Sequence, residues 1–398
     1  MRSTTHLIFK GTLVLSFLVI SLFCSSLPGF PRLTAQARSQ VQTNWPEFGF
    51  DPQNSRYNPN ETILTPSNVS GLTLAWIHQK QKSITASPVV VNGVLYEGSQ
   101  SGLYAFNATT GKLQWKAKVF VTDTPTVVGG IVYVGGAFGL VQAFDANTGL
   151  SIWSYSANEL SSVQSSPTVV NGVLYVGILT TLYALDAQKG TLIWDYPLQR
   201  YRNIYSAPAV VSGIVYFGTQ EGYVYALDAQ TGSLIWSYST GGTDSIFSSP
   251  AVVNGIVYIG TFLGKQLALD AQTGSLIWSD TLGSLNSSAA VAGGNLYIWD
   301  TRNVYALNAQ TGAIIWTQSS FGVIYIYGSP AVANGVVYIE SATKFYALDA
   351  QAGTVLWSYP VTTSRNSSVY CSPVVVNGFV YLALGHNVYA FHLPGVTS

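Results

Sequence analysis

Residues 207–236, APAVVSGIVYFGTQEGYVYALDAQTGSLIW, decide the fold of this chain. Variants of this stretch recur along the 398 residues, and nearly every copy ends at a tryptophan. These tryptophans are 38 to 42 residues apart and stand at Trp76, Trp115, Trp153, Trp194, Trp236, Trp278, Trp316 and Trp357. About 40 residues per repeat is the size of one four-stranded blade of a β-propeller.

Each copy reads as four short strands separated by turn signals. A proline, usually preceded by serine, opens the copy, because proline without an N–H group suits the start of a strand. A pair such as Asn254-Gly255 follows the first β-branched run and predicts a two-residue type I′ hairpin. Before the fourth strand, Asp228 is expected to bind the backbone of a turn that contains Gly232.

The eighth copy is incomplete, and a lone strand near the N-terminus matches the missing piece. The last copy begins at Pro373 and ends at Phe391, before any tryptophan, whereas residues 72–76 form a final strand with no copy before it. We therefore predict an all-β, eight-bladed propeller in which the N-terminal strand completes the last blade and closes the ring. The predicted boundaries are an approach segment 38–71, a propeller 72–393 and a tail 394–398.

Residues 1–37 have the pattern of a secretory signal peptide. Arg2 and Lys10 precede the uncharged apolar run 11–23, and Ala35-Gln36-Ala37 fits a signal peptidase site. The apolar run is shorter than the about 20 residues of a spanning helix. We predict cleavage, with an uncleaved membrane anchor as the alternative. The protein is therefore expected outside the cytoplasm, whether secreted, periplasmic or at the cell surface.

Composition excludes one class of partner and limits the cysteine chemistry. The chain has 17 basic and 17 acidic residues and a formal charge of zero. It shows no basic stripe, so no nucleic-acid partner is expected. Loss of the leader removes Cys24 and leaves Cys371, which is expected to be a small core residue.

A closed ring leaves no strand edge free to pair with a second chain, so we expect a monomer.

The end of each copy resembles a known motif. Ala226, Asp228, Gly232 and Trp236 fit A-x-D-x3-G-x3-W, which is similar to the tryptophan-docking motif of quinoprotein (pyrroloquinoline quinone, PQQ) repeat propellers. The likeness covers residues 44–393. This family includes quinoprotein alcohol dehydrogenase-like domains and outer-membrane assembly lipoproteins without redox chemistry. The resemblance implies that the eight tryptophans are structural and dock between neighbouring blades.

The resemblance leaves the activity open. Its alcohol-oxidising members use PQQ with calcium, are longer, and usually carry an adjacent pair of cysteines that this chain lacks. The histidines have no metal-ligand spacing and no nucleophile partner. We therefore predict no catalytic residue and no metal ligand, and we assign no cofactor, with PQQ and calcium as the alternative.

The candidate binding residues lie in the irregular parts of the repeat. The loops that precede the Ser-Pro steps carry an aromatic column and nearby arginines, expected at the mouth of the central funnel. Trp299 and Glu340 replace a glycine of the second strand. The column and its arginines are Tyr205, Phe247, Tyr327, Tyr370, Arg200, Arg202 and Arg365.

The leading functional hypothesis is an exported, non-catalytic scaffold. It would bind a protein or polymer through its loop face and central funnel, and would touch a membrane only through an uncleaved N-terminal segment. The alternatives are a PQQ-dependent alcohol-type dehydrogenase and a surface propeller that binds polymers or carbohydrates.

Overall fold

The computed structural model describes residues 43–79, 84, 86–157, 162–199, 202–242, 244–285, 287–319, 321, 328–341, 343–361 and 371–395. The chain divides into two units, Met1–Val41 and Gln42–Ser398, and the described residues all belong to the second. The predicted signal peptide and its cleavage site lie outside the described residues. The described part of the chain contains no helix long and apolar enough to cross a membrane.

Eight sheets form the eight blades; seven have four strands, and the sheet of blade 7 gains a fifth where Tyr57–Asn58 pairs parallel with Ala331–Ala333. Two strands precede the repeats. The preceding strands are β1 (Tyr57–Asn58) and β2 (Thr73–Gln79), and two short 3₁₀ turns occupy Val69–Gly71 and Ala137–Gly139. Blades 1 to 4 contain β3 (Val89–Val91), β4 (Val94–Ser99), β5 (Gly102–Asn107) and β6 (Leu113–Ala117); β7 (Thr126–Val128), β8 (Ile131–Gly135), β9 (Leu140–Asp145) and β10 (Ser151–Ser156); β11 (Thr168–Val170), β12 (Val173–Ile178), β13 (Thr181–Asp186) and β14 (Leu192–Pro197); β15 (Ala209–Val211), β16 (Ile214–Gly218), β17 (Tyr223–Asp228) and β18 (Leu234–Ser239). Blades 5 to 8 contain β19 (Ala251–Val253), β20 (Ile256–Gly260), β21 (Lys265–Asp270) and β22 (Leu276–Thr281); β23 (Ala290–Ala292), β24 (Asn295–Trp299), β25 (Asn303–Asn308) and β26 (Ile314–Ser319); β27 (Ala331–Ala333), β28 (Val336–Glu340), β29 (Lys344–Asp349) and β30 (Val355–Pro360); β31 (Val374–Val376), β32 (Phe379–Leu384) and β33 (Asn387–His392).

The N-terminal strand closes the ring as predicted. β2 pairs antiparallel with β33, and Trp76 lies opposite Ala390. The sheet order β2-β33-β32-β31 makes β2 the outermost strand of blade 8. The eight-bladed propeller and its mode of closure are therefore confirmed.

The local turn signals also have the predicted geometry. Asn254 and Gly255 have φ values of 52° and 77°, and a type I′ turn requires positive φ at both positions. Asp228 accepts a hydrogen bond of 2.8 Å from the backbone N–H of Thr231. Asn107 makes the equivalent bond where it replaces the aspartate.

Antiparallel order divides the connections between two faces of the ring. The hairpins between first and second strands, and between third and fourth strands, lie at one end of the blades, which we call the turn face. The hairpins between second and third strands lie at the opposite end, together with the loops that join consecutive blades. We call this end the loop face.

The core lies between neighbouring blades, and the repeated tryptophans seal it. In blade 4, the Nε1–H of Trp236 donates a 2.9 Å hydrogen bond to the carbonyl of Ala271 in blade 5. A Cβ atom on Gly274 would lie 2.6 Å from Cδ2 of the same indole, so the ring rests on bare backbone. Beneath it, buried residues of both blades form one apolar cluster, including Val224 and Val257. Such burial is worth roughly 25 cal/mol per Å² of apolar surface.

A ring of hydroxyl groups joins the starts of the innermost strands. The residue before the opening proline of one blade donates its backbone N–H to the side-chain oxygen of the serine or threonine at the same position in the next blade. In blade 6, Ala289 takes the place of the proline. The seven bonds run Ser87 to Thr124, Thr124 to Ser166, Ala207 to Ser249, Ser249 to Ser288, Ser288 to Ser329, Ser329 to Ser372, and Ser372 to Ser87. The missing link is the one from Ser166 to blade 4, where Ala207 has no hydroxyl.

Ala207→Ser is expected to complete this ring and stabilise the protein by about 0.5–1.5 kcal/mol, the net contribution of one hydrogen bond. The matched control is Ala226→Ser, in the third strand of the same blade. Ala226 is fully buried among apolar residues, so its new hydroxyl is expected to destabilise the fold. Urea unfolding of both variants checks the contrast, and a loss of stability in Ala207→Ser would show that the ring has no room for an eighth hydroxyl.

Residues 45–58, the axial segment, run along the inside of the ring. Its backbone carbonyls accept hydrogen bonds from the innermost strands of six blades, and the amide of Asn58 reaches a seventh. The donors are Val90, Val127, Val210, Val252, Val291 and Val332, and Asn58 Nδ2 donates to Val375. Thr43 and Glu61, on either side of the segment, bind the turn-face hairpin Asn377-Gly378. The axial segment therefore contacts the innermost strands of seven blades, and the residues on either side of it are bound to one hairpin of the turn face.

Candidate functional site

Three aromatic side chains meet on the loop face of blades 4 and 5. The rings of Tyr205 and Phe247 are 5.6 Å apart, and those of Phe247 and Phe262 are 5.9 Å apart and perpendicular. Phe262 is 41% exposed, and the next residue, Leu263, is 62% exposed. We call Tyr205, Phe247 and Phe262 the aromatic cluster. The structure thus brings together two of the residues singled out in the sequence and adds Phe262.

The position of this cluster follows from the residue that precedes each aromatic. Ile246 is buried against the bare backbone of Gly218 in the preceding blade, where a Cβ atom would lie 2.4 Å from its Cγ2. Ile204 packs in the same way on Gly177. Each loop is fixed by this aliphatic contact, so the next side chain, Tyr205 or Phe247, turns towards solvent.

Trp299 occupies the glycine position in blade 6 and makes a different contact. Its Nε1–H donates a 3.0 Å hydrogen bond to the carbonyl of Gly328, at the start of blade 7. Its own carbonyl accepts a bond from Ser287 Oγ. The indole is only 4% exposed, so it is packed between blades 6 and 7 and contributes little surface to the loop face.

Glu340 occupies the same position in blade 7 and faces the axial segment. It is 1% exposed, and a Cβ atom on Gly328 would lie 1.9 Å from its Oε1. Burial raises the pKa of Glu340 well above its usual range, and the positive charge of Arg56 opposes this shift in part. Burial also lowers the pKa of Arg56 to about 9, so its guanidinium remains charged at neutral pH.

Arg56 was missed in the sequence. The sequence did contain a sign of it. Arg56 is a charged residue in the polar stretch Asn54-Ser55-Arg56-Tyr57, and only 9% of the residues of this chain are charged. The repeat does not include this stretch, so periodicity could not place its side chain.

Arg202 points along blade 4. Its Nε lies 3.3 Å from Glu221 Oε2, and its guanidinium carbon stacks 4.0 Å from the centre of the Tyr223 ring. Its Nη1 also donates to the hydroxyl of Tyr225. Four further candidates, Arg200, Tyr327, Arg365 and Tyr370, lie outside the described residues.

Exposed charges are distributed unequally between the two faces. On the described part of the turn face, the hairpins between third and fourth strands hold five aspartates and two lysines. These are Asp145, Asp186, Asp228, Asp270 and Asp349, against Lys112 and Lys189. On the described part of the loop face, the residues that are at least partly exposed include six cations, Lys116, Lys118, Arg202, Lys265, Arg302 and Lys344, against Asp195, Glu221 and Asp280. The loop face is therefore the more positive of the two.

Comparison with known proteins identifies the family. The model of a PQQ-repeat family, described as outer membrane protein assembly factor BamB, matches residues 67–206, 103–318 and 265–395. The chain belongs to this family. Among solved structures, BamB from Moraxella catarrhalis superimposes with a TM-score of 0.68 at 19% identity, covering 81% of this chain and 99% of that one. A europium-containing methanol dehydrogenase gives a TM-score of 0.76 at 14% identity, covering 88% of this chain and 98% of that one.

Curated relatives of the PQQ-repeat chain match only over short stretches. Quinohemoprotein alcohol dehydrogenase ADH-IIG of Pseudomonas putida is 37% identical over 105 residues, which are 23% of this chain and 14% of that enzyme. Quinoprotein alcohol dehydrogenase PedH of Pseudomonas putida is 30% identical over 122 residues, which are 29% of this chain and 20% of that enzyme. The matched stretches thus span a fifth or less of these enzymes, and the likeness to solved structures concerns the fold.

A calcium ion beside a quinone needs several oxygen ligands from the protein. Within the described ranges, no group of three or more His, Cys, Asp or Glu side chains could hold a metal ion. Glu340 faces Arg56, and Asp123 accepts a hydrogen bond from the backbone of Gly135. The acids of the described residues therefore do not fit a calcium ion beside a quinone.

Proposed function

We propose that this PQQ-repeat propeller is an exported, non-catalytic scaffold that binds a protein partner through its loop face. The aromatic cluster carries the proposal, because its rings are partly exposed and Leu263 beside them is 62% exposed. Aromatic side chains surrounded by polar groups are the usual anchors of protein interfaces. An extracytoplasmic location is consistent with the family description, which names an outer membrane assembly factor.

The charges of the loop face indicate the chemistry of the partner. Its described cations outnumber its exposed anions, whereas the turn face has the opposite balance. Complementary charge accelerates encounter and selects among partners. We therefore expect an acidic segment that places an aromatic or aliphatic side chain on the aromatic cluster.

A defined peptide set tests this function. Acidic peptides with one tryptophan or leucine are titrated against the full chain, beside versions in which each acidic residue is replaced by lysine. We expect the acidic peptides to bind more tightly, and Tyr205→Ala with Phe247→Ala to weaken them at least tenfold. The matched control is Leu150→Ala, which removes a 69% exposed side chain from the turn face and should leave affinity unchanged.

Four results would contradict the proposal. Equal binding of the acidic and lysine peptides would remove the electrostatic argument. Unchanged affinity of the Tyr205/Phe247 variant would place the binding surface elsewhere. Stoichiometric binding of PQQ with calcium and turnover of an alcohol would support the dehydrogenase alternative, whereas binding of neutral oligosaccharides alone would favour the carbohydrate-binding alternative.

A further inference from the structure

The aromatic side chains that are most exposed among the described residues all lie on the loop face. Phe120, Phe138 and Phe262 are 40%, 65% and 41% exposed, and every other described aromatic residue is more buried. Phe262 belongs to the aromatic cluster of blades 4 and 5. Phe120 is in the loop from blade 1 to blade 2, and Phe138 is in the hairpin between the second and third strands of blade 2. The loop face therefore carries a second aromatic surface.

The backbone brings Phe120 and Phe138 to the same place. The carbonyl oxygen of Phe120 lies against Gly136, where a Cβ atom would be 2.7 Å from it. Two residues after Phe120, the backbone N–H of Thr122 donates a hydrogen bond to the carbonyl of Gly135. The loop that carries Phe120 thus runs beside the start of the hairpin, and Phe138 follows two residues after Gly136.

The backbone is strained where it exposes Phe138. This residue has φ 57° and ψ 36°, in the left-handed region that a large side chain rarely adopts. Leu263, at the same hairpin position in blade 5, is exposed to a similar extent but does not have a positive φ. Strained residues are concentrated at functional sites. A phenylalanine that is both strained and 65% exposed is unfavourable for folding, which indicates a contact outside the chain.

Two lysines extend this surface. Lys116 and Lys118 are exposed at the end of the fourth strand of blade 1 and in the loop that follows it. Throughout residues 94–142 the acids are Glu97 and Asp123, which are 0% and 4% exposed. No exposed acid in this stretch therefore offsets the two lysines.

We propose that Lys116, Lys118, Phe120 and Phe138 form a second docking surface, the lysine–phenylalanine surface, for an acidic polypeptide segment. Phe120 and Phe138 contact an apolar side chain of this segment, as exposed aromatic residues do at the centre of protein interfaces. The two ammonium groups bind its carboxylates through charge-assisted hydrogen bonds.

The charges elsewhere on the loop face favour a polypeptide over a lipid surface. The partly exposed acids Glu221 and Asp280 lie on this face in blades 4 and 5, where a uniformly anionic membrane would meet like charges. A polypeptide can place its acidic residues on the lysines and other residues beside these acids. We expect one partner to cover both surfaces. This last step rests on the proposed scaffold function, whereas the lysine–phenylalanine surface itself does not.

The acidic tryptophan peptide is the probe that tests the surface. It is titrated against the full chain by calorimetry, and we expect two peptides to bind per chain. Phe138→Gly is expected to remove one of the two, without a fall in the urea midpoint, because glycine adopts the left-handed region freely. Phe120→Ser leaves the hairpin unchanged and should weaken the same peptide, so that loss of the ring is separated from a change in the hairpin.

Lysine variants test the electrostatic part. The double variant Lys116→Gln with Lys118→Gln is expected to weaken the second peptide about three- to tenfold, as for two exposed ion pairs. The matched control is Lys112→Gln, which removes an exposed lysine from the turn face of the same blade and should change neither affinity nor stoichiometry.

A tandem peptide tests whether one partner can cover both surfaces. Two copies of the acidic peptide are joined by flexible Gly-Ser linkers of about 10 to 40 residues. The best linker is expected to increase affinity about tenfold or more over the single peptide, because the second binding step becomes intramolecular. Phe138→Gly should abolish this gain, and so should Tyr205→Ala with Phe247→Ala.

The outcomes separate this inference from the proposed function. Unchanged peptide binding in Phe138→Gly, with a loss in the Tyr205/Phe247 variant, would overturn the lysine–phenylalanine surface alone. The reverse result would overturn the aromatic cluster as the binding site and support the second surface. A tandem peptide that gains nothing with any linker would overturn the single partner. Binding to phosphatidylglycerol vesicles that Phe138→Gly abolishes, without peptide binding, would overturn the polypeptide assignment in favour of a membrane.

Discussion

Removal of residues 72–76 is expected to abolish cooperative folding of the propeller. These residues supply the first half of β2, which pairs with β33 from Thr73 opposite His392 to Gln79 opposite Asn387. The deletion also removes Trp76, whose Nε1–H donates a 2.9 Å hydrogen bond to the carbonyl of Ala108 in blade 1. It removes the carbonyl of Leu72 as well, which accepts the indole N–H of Trp357.

The loss affects three blades at once. Blade 8 gains an open strand edge, which is a template for aggregation. The indole of Trp357 in blade 7 loses its acceptor, and the turn of blade 1 at Gly111 loses the ring that covers it. We expect a cost of at least about 5 kcal/mol, which approaches the total stability of many domains.

Urea unfolding and size-exclusion chromatography measure this outcome. We expect the deleted chain to elute as aggregate and to show no cooperative transition. The matched control retains the strand and changes Thr73→Ser and Ile77→Ser, because Ile77 is 49% exposed and Thr73 also faces solvent. A deleted chain that unfolds cooperatively at the urea midpoint of this control would show that β2 is not needed for closure.

The sequence predicts the repeating part of this molecule well because the signals are local. Asn254-Gly255 fixes a hairpin through the φ values of two residues, and Asp228 fixes a turn three residues long. Eight repetitions of such signals determine the number of blades. Closure was predictable for the same reason, since the lone strand at Trp76 has the pattern of the strand that the last copy lacks.

The sequence does not predict the parts that depend on distant residues. Arg56 and Glu340 are 284 positions apart, and only the path of the axial segment brings them together. The serines before the prolines were visible in the sequence, but their ring joins neighbouring blades through bonds about 40 residues apart. The direction of Arg202 depends on Glu221 and Tyr223, which no periodic pattern relates to it.

Glu61→Ala is expected to destabilise the protein by about 3–5 kcal/mol. The carboxylate is 3% exposed and accepts three backbone hydrogen bonds. Its Oε1 binds the N–H groups of Ile63 and Leu64 at 2.8 and 3.1 Å, and its Oε2 binds that of Gly378 at 3.0 Å. Alanine leaves these three donors in a buried place without acceptors, and each costs about 1–3 kcal/mol unless water reaches it.

The isosteric variant Glu61→Gln separates this loss of acceptors from a simple loss of packing. The glutamine oxygen can still bind Ile63 and Leu64, but its NH₂ group then faces the N–H of Gly378, so we expect a smaller cost of about 1–3 kcal/mol. Glu221→Ala removes an acid that is partly exposed and paired with Arg202, and should change stability by less than about 1 kcal/mol. Urea midpoints should therefore fall in the order Glu221→Ala, Glu61→Gln, Glu61→Ala. A Glu61→Gln midpoint equal to that of the wild type would mean that Gly378 gains nothing from the carboxylate, and that the bonds to Ile63 and Leu64 or the side-chain volume at position 61 account for the loss in Glu61→Ala.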